Sequence, residues 1–257
     1  MNYPAMFQTQ AEALIAAAAG NLDAPVPSCP GWDNRRLVSH VARLLASTAA
    51  HLPRGVVDPP AFTERPPAQD EALVAHYRAS LAATLAAFQA VDPAAPAWNF
   101  TNAPQVAGFW PRRLTHELQI HAWDAASAVG PAPELDPALA ADGIDEVLRV
   151  LLPAARAAGL TSHAEGTAHV HLTDPLFTGP PSVMDEAAAP PAPNGEWMVA
   201  LAGDSVEVSE GHEKGDAGLR GPAGPALLAI WGRTGFDGPG LSAFGDQDLL
   251  TALRPGR

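Results

Sequence analysis

Apolar residues recur at helical spacing along the first half of the chain. Over residues 5–20, Phe7, Ala11, Leu14 and Ile15 share one side and Gly20 stops the run. Pro25, Pro27 and Pro30 mark the loop that follows. A second helix is predicted from Asp33, a capping residue, to Leu52. Five prolines make residues 53–69 a connection. A third helix is expected over 70–91, with Leu73, Tyr77, Leu81, Leu85 and Phe88 on one side. Trp98, Phe100, Phe109 and Trp110 then lead to a fourth helix. Pro111 suits its first turn, where a missing N–H is harmless, and the helix ends near Gly130. Four helices with long connections read as a bundle whose facing helices can hold a ligand or metal.

The pattern changes after the prolines at 131, 133 and 137, so the domain change is placed there: residues 1–137 and 138–257. Asp136-Pro137 opens a helix over about 138–151. Residues 167–173, 196–201 and 206–209 alternate in the manner of strands, whereas 227–231 and 247–253 look helical. The second half is therefore α+β. The Pro- and Ala-rich stretch 175–195 is too long and irregular for a hairpin turn, which leaves a disordered insertion or a lid.

Composition narrows the function classes. With 47% hydrophobic residues the chain can build a core, and its net charge of −13 argues against nucleic acid and anionic membrane surfaces. No run matches the length of a membrane span. Cys29 is the lone cysteine, so no internal disulfide forms, and Met1-Asn2-Tyr3-Pro4 lacks the basic and apolar run of a signal peptide. The cytoplasm is the expected setting. Among 15 basic residues only Lys214 is lysine, which together with abundant Ala and Pro suggests a high-GC genome.

Chemistry concentrates in Arg113-Leu114-Thr115-His116-Glu117-Leu118-Gln119-Ile120-His121-Ala122-Trp123-Asp124. Glu117 and His121 are four apart, hence on one helix face about 6 Å along it. A carboxylate and an imidazole so placed can grip one divalent ion. His40, among Leu37, Val41 and Leu44, offers a third ligand from another helix, or is a hydrogen-bonded core histidine. Three protein ligands with an open position mark a catalytic metal. The zincin pattern H-E-x-x-H is not met, because Ile120 occupies its last position, and His116 points elsewhere. Asp124, three residues past His121, shares its face. It either orients a ligand imidazole from behind or is a plain hydrogen-bonding carboxylate. Trp32 and Trp123 read as core aromatics. His169 and His171 share a strand face, where a second metal site is an alternative, although no third ligand is evident. His51, His76, His163 and His212 have no constellation around them.

These residues also carry a family pattern. Ser28-Cys29-Pro30-Gly31-Trp32 through Leu37-Val38-Ser39-His40 resembles the opening motif of the mycothiol-dependent maleylpyruvate isomerase family. Phe109-Trp110-Pro111 through His116-Glu117, with His121-Ala122-Trp123-Asp124, resembles its metal helix. Residues 141–146, 169–174 and 228–233 are similar to its second domain. The resemblance implies a DinB-like four-helix bundle followed by a smaller sterol-carrier-like α+β domain. It implies zinc, or another divalent metal, on His40, Glu117 and His121, and mycothiol as thiol cosubstrate, whose actinobacterial distribution fits the composition. Ala122 stands where the family often carries Arg, which suggests a less anionic substrate.

The expected function is a metal-dependent cis–trans isomerisation or a mycothiol S-transfer on an electrophilic small molecule. The alternative is a non-catalytic small-molecule binder, and the sequence leaves the oligomeric state open, a monomer included. Arg233 is the candidate catalytic and cofactor-binding cation, pairing with a substrate or thiol-cofactor carboxylate in a pocket between domains, and Arg220 is the runner-up. Cys29, in a Pro-rich loop without an evident activating partner, is not expected to be the nucleophile.

Overall fold

The computed structural model describes residues 1–61, 65–175 and 194–256. The chain forms two compact units, Met1–Pro133 and Glu134–Arg257. The stretch read as an insertion or lid falls almost wholly outside the described residues.

The first unit contains helices α1 (Tyr3–Ala18), α2 (Asn34–His51), α3 (Asp70–Ala90) and α4 (Phe109–Ser127). α1 starts two residues before the sequence-based expectation, because the Asn2 side chain accepts the N–H of Ala5 and Pro4 fits the first turn. Asp33 caps α2 as expected, accepting the N–H of Arg36 at 2.8 Å. α4 begins at Phe109, so Pro111 falls within its first turn, where no intrahelical partner for its nitrogen is required. α1 packs on α4 and α2 on α3. Phe7, Leu14, Leu37, Leu45, Leu73, Tyr77, Leu114 and Leu118 meet in the shared core. Two buried hydroxyls tie helices together: Tyr77 donates to the Ala11 carbonyl at 2.8 Å and Thr84 to the Leu45 carbonyl at 3.0 Å.

The second unit is a five-stranded sheet with helices, an α+β arrangement. α5 (Pro137–Glu146) passes through a π-turn at Val147–Leu151 into α6 (Leu152–Ala157). The sequence reading ended this helix at 151. It continues because the wider turn, in which the Leu152 N–H reaches the Val147 carbonyl, accommodates Pro153, whose ring would clash with the carbonyl four residues back. The strands are β1 (Gly166–Leu172), β2 (Glu196–Ala202), β3 (Ser205–Ser209), β4 (Ala217–Gly221) and β5 (Ser242–Gly245), in the order β3-β2-β1-β4-β5. β1 and β4 run parallel and the other pairs are antiparallel.

Neither β4 nor β5 was legible in the sequence. Ala217, Gly218 and Gly221 lack strand propensity, β5 has only four residues, and pairing with a distant strand decides both. One sheet face is buried through Ala168, Val170, Leu172, Trp197, Val199, Leu201 and Leu219. Helices α7 (Ala223–Ile230) and α8 (Gln247–Ala252) complete this core with Leu227, Ile230, Leu249 and Leu250. Trp197 donates its indole N–H to Asp145 at 3.0 Å. Arg156, fully buried, donates to the carbonyls of Gly203, Ser162 and Ala164, and so fixes the chain ends around β1 and the β2–β3 turn. No helix among the described residues is long and apolar enough to cross a membrane.

Candidate metal centre

α2 supplies His40 and α4 supplies Glu117 and His121 on successive turns. The Nε2 atoms of both histidines lie 3.2 Å from Glu117 Oε1. The three potential ligand atoms all fall within 4.8 Å of one another, and the imidazole centroids are 5.3 Å apart. Exposure is graded: the His121 side chain is 10% exposed, Glu117 19% and His40 34%. His40 therefore lies at the rim of the apolar stripe rather than in the core, and the cluster is open on its side.

Each inner residue is held from behind. Glu117 Oε2 accepts a hydrogen bond at 2.9 Å from buried Arg113, one turn earlier, so Oε1 is the oxygen left toward the histidines. His121 Nδ1 lies 3.0 Å from Asp124 Oδ2. Asp124 is fully buried and also accepts from Ser28 Oγ at 2.6 Å and Cys29 Sγ at 3.6 Å. A proton on Nδ1 pointing at a carboxylate leaves the Nε2 lone pair toward Glu117, the tautomer a metal ligand needs. Trp32 closes one side, stacked on His121 at 6.4 Å and edge-on to His40 at 5.3 Å. It is a wall of the cluster as much as a core aromatic, and Arg36 covers its ring at 4.8 Å.

The electrostatics follow from this arrangement. Burial pushes Glu117 upward. Hydrogen bonds from His121 and His40, with the charges of His121 and Arg113, outweigh it and hold the carboxyl well below the usual range. Burial lowers His121, but hydrogen bonds to Asp124 and Glu117 and their charges raise it to about 9. Glu117 is ionised at neutral pH, and His121, without a metal, is protonated on both nitrogens, with Nδ1–H toward Asp124 and Nε2–H toward Glu117. A divalent cation would replace the Nε2 proton with a stronger charge at the same place.

Residues 6–126 match the family model described as the mycothiol maleylpyruvate isomerase N-terminal domain, and residues 138–252 match the MDMPI C-terminal domain. The chain belongs to the mycothiol maleylpyruvate isomerase family. No curated protein and no solved structure was found to match it. Membership indicates a function like that of mycothiol maleylpyruvate isomerase, in an isomerase class of enzymes acting on small molecules. The N-terminal family match spans His40, Glu117, His121 and Asp124.

Of the other residues singled out in the sequence, His116 and Ala122 are not ligands of this cluster. His116 is buried edge-on to Tyr3. Ala122 is buried in the bundle core. Cys29 donates to the Asp124 carboxylate, which is not a group that activates a thiol. Arg233 follows α7, is partly exposed and donates to the Trp231 carbonyl at 3.0 Å. Arg220 is exposed on β4.

Two sequence readings are overturned. His169 and His171 do have further ligand-type neighbours, Glu196 and His212, and His212 is therefore not isolated. His51 packs edge-on to Trp110 at 4.9 Å and near Trp98 at 6.3 Å, and belongs to no group of ligand-type side chains among the described residues. The reading missed Arg113 and Ser28. Arg113 could have been found, since it precedes Glu117 by the same four residues that separate Glu117 from His121. Ser28 could not, because only tertiary packing brings its loop to α4.

Proposed function

We propose that this family member is a metal-dependent enzyme that uses a low-molecular-weight thiol, mycothiol, to isomerise a cis double bond in an electrophilic small molecule. The observation that carries the reading is the convergence of His40 Nε2, His121 Nε2 and Glu117 Oε1, with Arg113 and Asp124 fixing the atoms that face away. That donor set, two imidazoles and one carboxylate, fits a zinc-class ion with a free position. When bound, such an ion supplies Lewis acidity and favours the thiolate over the thiol.

The protein residues have separate tasks. Asp124 keeps the His121 proton on Nδ1. Arg113 neutralises one oxygen of Glu117 and prevents its rotation. Trp32 shields the imidazoles from bulk water on one side, while the open His40 side admits substrate. Arg233 binds an anionic group of substrate or thiol through its planar fork, with Arg220 as the second candidate. In the isomerisation the thiolate sulfur bonds to one carbon of the cis alkene. The former double bond rotates as a single bond, and the sulfur departs as the trans alkene re-forms, so the thiol is regenerated. If the sulfur stays and the adjacent carbon takes a proton, the product is a thioether and the activity is S-transfer.

The test combines elemental analysis with turnover. One divalent ion is expected at this centre, so a His40→Ala, Glu117→Ala, His121→Ala triple variant should hold one ion per chain fewer than the native protein. The cobalt-substituted protein should gain a sulfur-to-metal charge-transfer band on adding mycothiol, and maleylpyruvate should isomerise only with thiol present. Full metal content in the triple variant, or an unchanged spectrum at saturating thiol, defeats the reading. A stable adduct without isomer would move the assignment to S-transferase. Metal without thiol binding or turnover would favour a small-molecule binder.

A further inference from the structure

We propose that His169, His171, His212 and Glu196 form a second transition-metal site, in the strand-containing unit, that takes a zinc-class divalent cation and clamps the β3–β4 connection onto the sheet.

The argument begins with strand alternation. Ala168, Val170 and Leu172 are buried, so His169 and His171 both project from the opposite face of β1. The antiparallel register sets Glu196 of β2 directly across from His171. Their side chains meet, with His171 Nδ1 2.9 Å from Glu196 Oε1.

The third histidine arrives through topology. β3 is at one edge of the sheet, and β4 lies beyond both β2 and β1. Residues 210–216 must cross three strand spacings, about 14 Å. The crossing runs close to the strands: a Cβ on Gly215 would come within 3.0 Å of the Thr167 carbonyl and 3.1 Å of the His169 nitrogen. This path brings His212 Nδ1 to 3.1 Å from the same Glu196 oxygen. The three imidazoles are mutually 5.2 to 5.8 Å apart by centroid.

The four potential ligand atoms lie within 4.8 Å of one another. Tetrahedral bonds of about 2.1 Å require separations of about 3.4 Å, so the half-buried His169, His171 and Glu196 and the exposed His212 need only turn inward slightly. His169 Nε2 is buried with no hydrogen-bond partner among the described residues, unlike most buried polar atoms. One carboxylate among three imidazoles, with Arg220 paired opposite His171 on β4, is a poor site for calcium or magnesium, which need several oxygens. It suits zinc, nickel or copper. Four protein ligands leave no open position, so this ion is structural, in contrast to the three-ligand cluster of the bundle.

The test uses full-length, metal-free protein and cobalt(II) as the probe. His121→Ala, with the bundle cluster disabled, should still bind one cobalt per chain and show tetrahedral d–d absorption. Adding His169→Ala and His212→Ala to that background should abolish both. In otherwise native protein, zinc should slow amide exchange over residues 210–216, and Glu196→Gln should lose that effect. Two results overturn the proposal: cobalt uptake by His121→Ala that persists without His169 and His212, or no uptake by a folded His121→Ala protein. If His121→Ala fails to fold, the exchange measurement decides: unchanged exchange on zinc addition rejects the clamp. Failure of the bundle centre is distinguishable, because the native chain would then hold one ion and lose it with the His169 and His212 substitutions.

Discussion

Asp124→Asn isolates what a buried carboxylate does for the proposed centre. The side chain is fully buried and meets three donors: Ser28 Oγ, Cys29 Sγ and His121 Nδ1. Asparagine keeps the shape but offers one acceptor oxygen, and its NH2 must face a group that previously donated. Either Ser28 reorients to accept, or His121 moves its proton to Nε2 and loses the lone pair that faces Glu117. Carboxylates behind a ligand histidine are typically worth about 10–100-fold in metal affinity, or about 1.4–2.7 kcal/mol. A hydrogen bond to a charged group exceeds one to a neutral group by about 1 kcal/mol, so the fold should weaken by a similar amount. The assay is zinc affinity by competition with a chelator of known strength, with thermal melts run in parallel. Imidazole nitrogen shifts should show the His121 proton leaving Nδ1. Zinc affinity within twofold of wild type, with Nδ1 still protonated, would refute the claim that Asp124 sets the tautomer.

Arg156→Met should destabilise the second unit by about 3 kcal/mol, read from chemical denaturation, because a buried charged donor to three carbonyls is lost; a change under 0.5 kcal/mol would contradict this. His51 is held below its ordinary value chiefly by burial, so the folded state resists protonation and its contribution to stability is present above about pH 6.5 and lost as pH falls. His51→Phe should flatten the stability loss between about pH 7 and 5, and an unchanged slope would remove His51 as its source. Arg233→Met should leave metal content normal and lower kcat/KM by about thirtyfold, equivalent to about 2 kcal/mol; normal kinetics would show that this cation does not serve turnover. Cys29→Ser should retain thiol-dependent activity, since its sulfur faces a carboxylate, and loss of activity in a folded variant would reopen the nucleophile assignment.

The sequence by itself determined what repeats over short distances. Helical periodicity placed all four helices of the bundle within a few residues, and Asp33 and Asp136 announced two starts through their side-chain caps. The i,i+4 spacing of Glu117 and His121 survives folding because one helix carries both. Strand alternation likewise put His169 and His171 on one face before any fold was known. His40 stood out as a ligand-type residue on another helix and the family motif includes it, though no local rule linked it to α4.

Tertiary structure decided everything that depends on partners distant in the chain. β4 and β5 exist because β1 and then β4 offer unpaired edges, not because their small residues favour strands. Pro153 sits inside a helix because a π-turn precedes it. Ser28 and Cys29 reach Asp124 across 95 residues or more, and His212 joins its cluster only because the chain must cross the sheet from β3 to β4. Spacing along a chain fixes direction within one element. Which directions converge depends on how elements pack, and that is set by burial of the whole apolar surface rather than by any local run of residues.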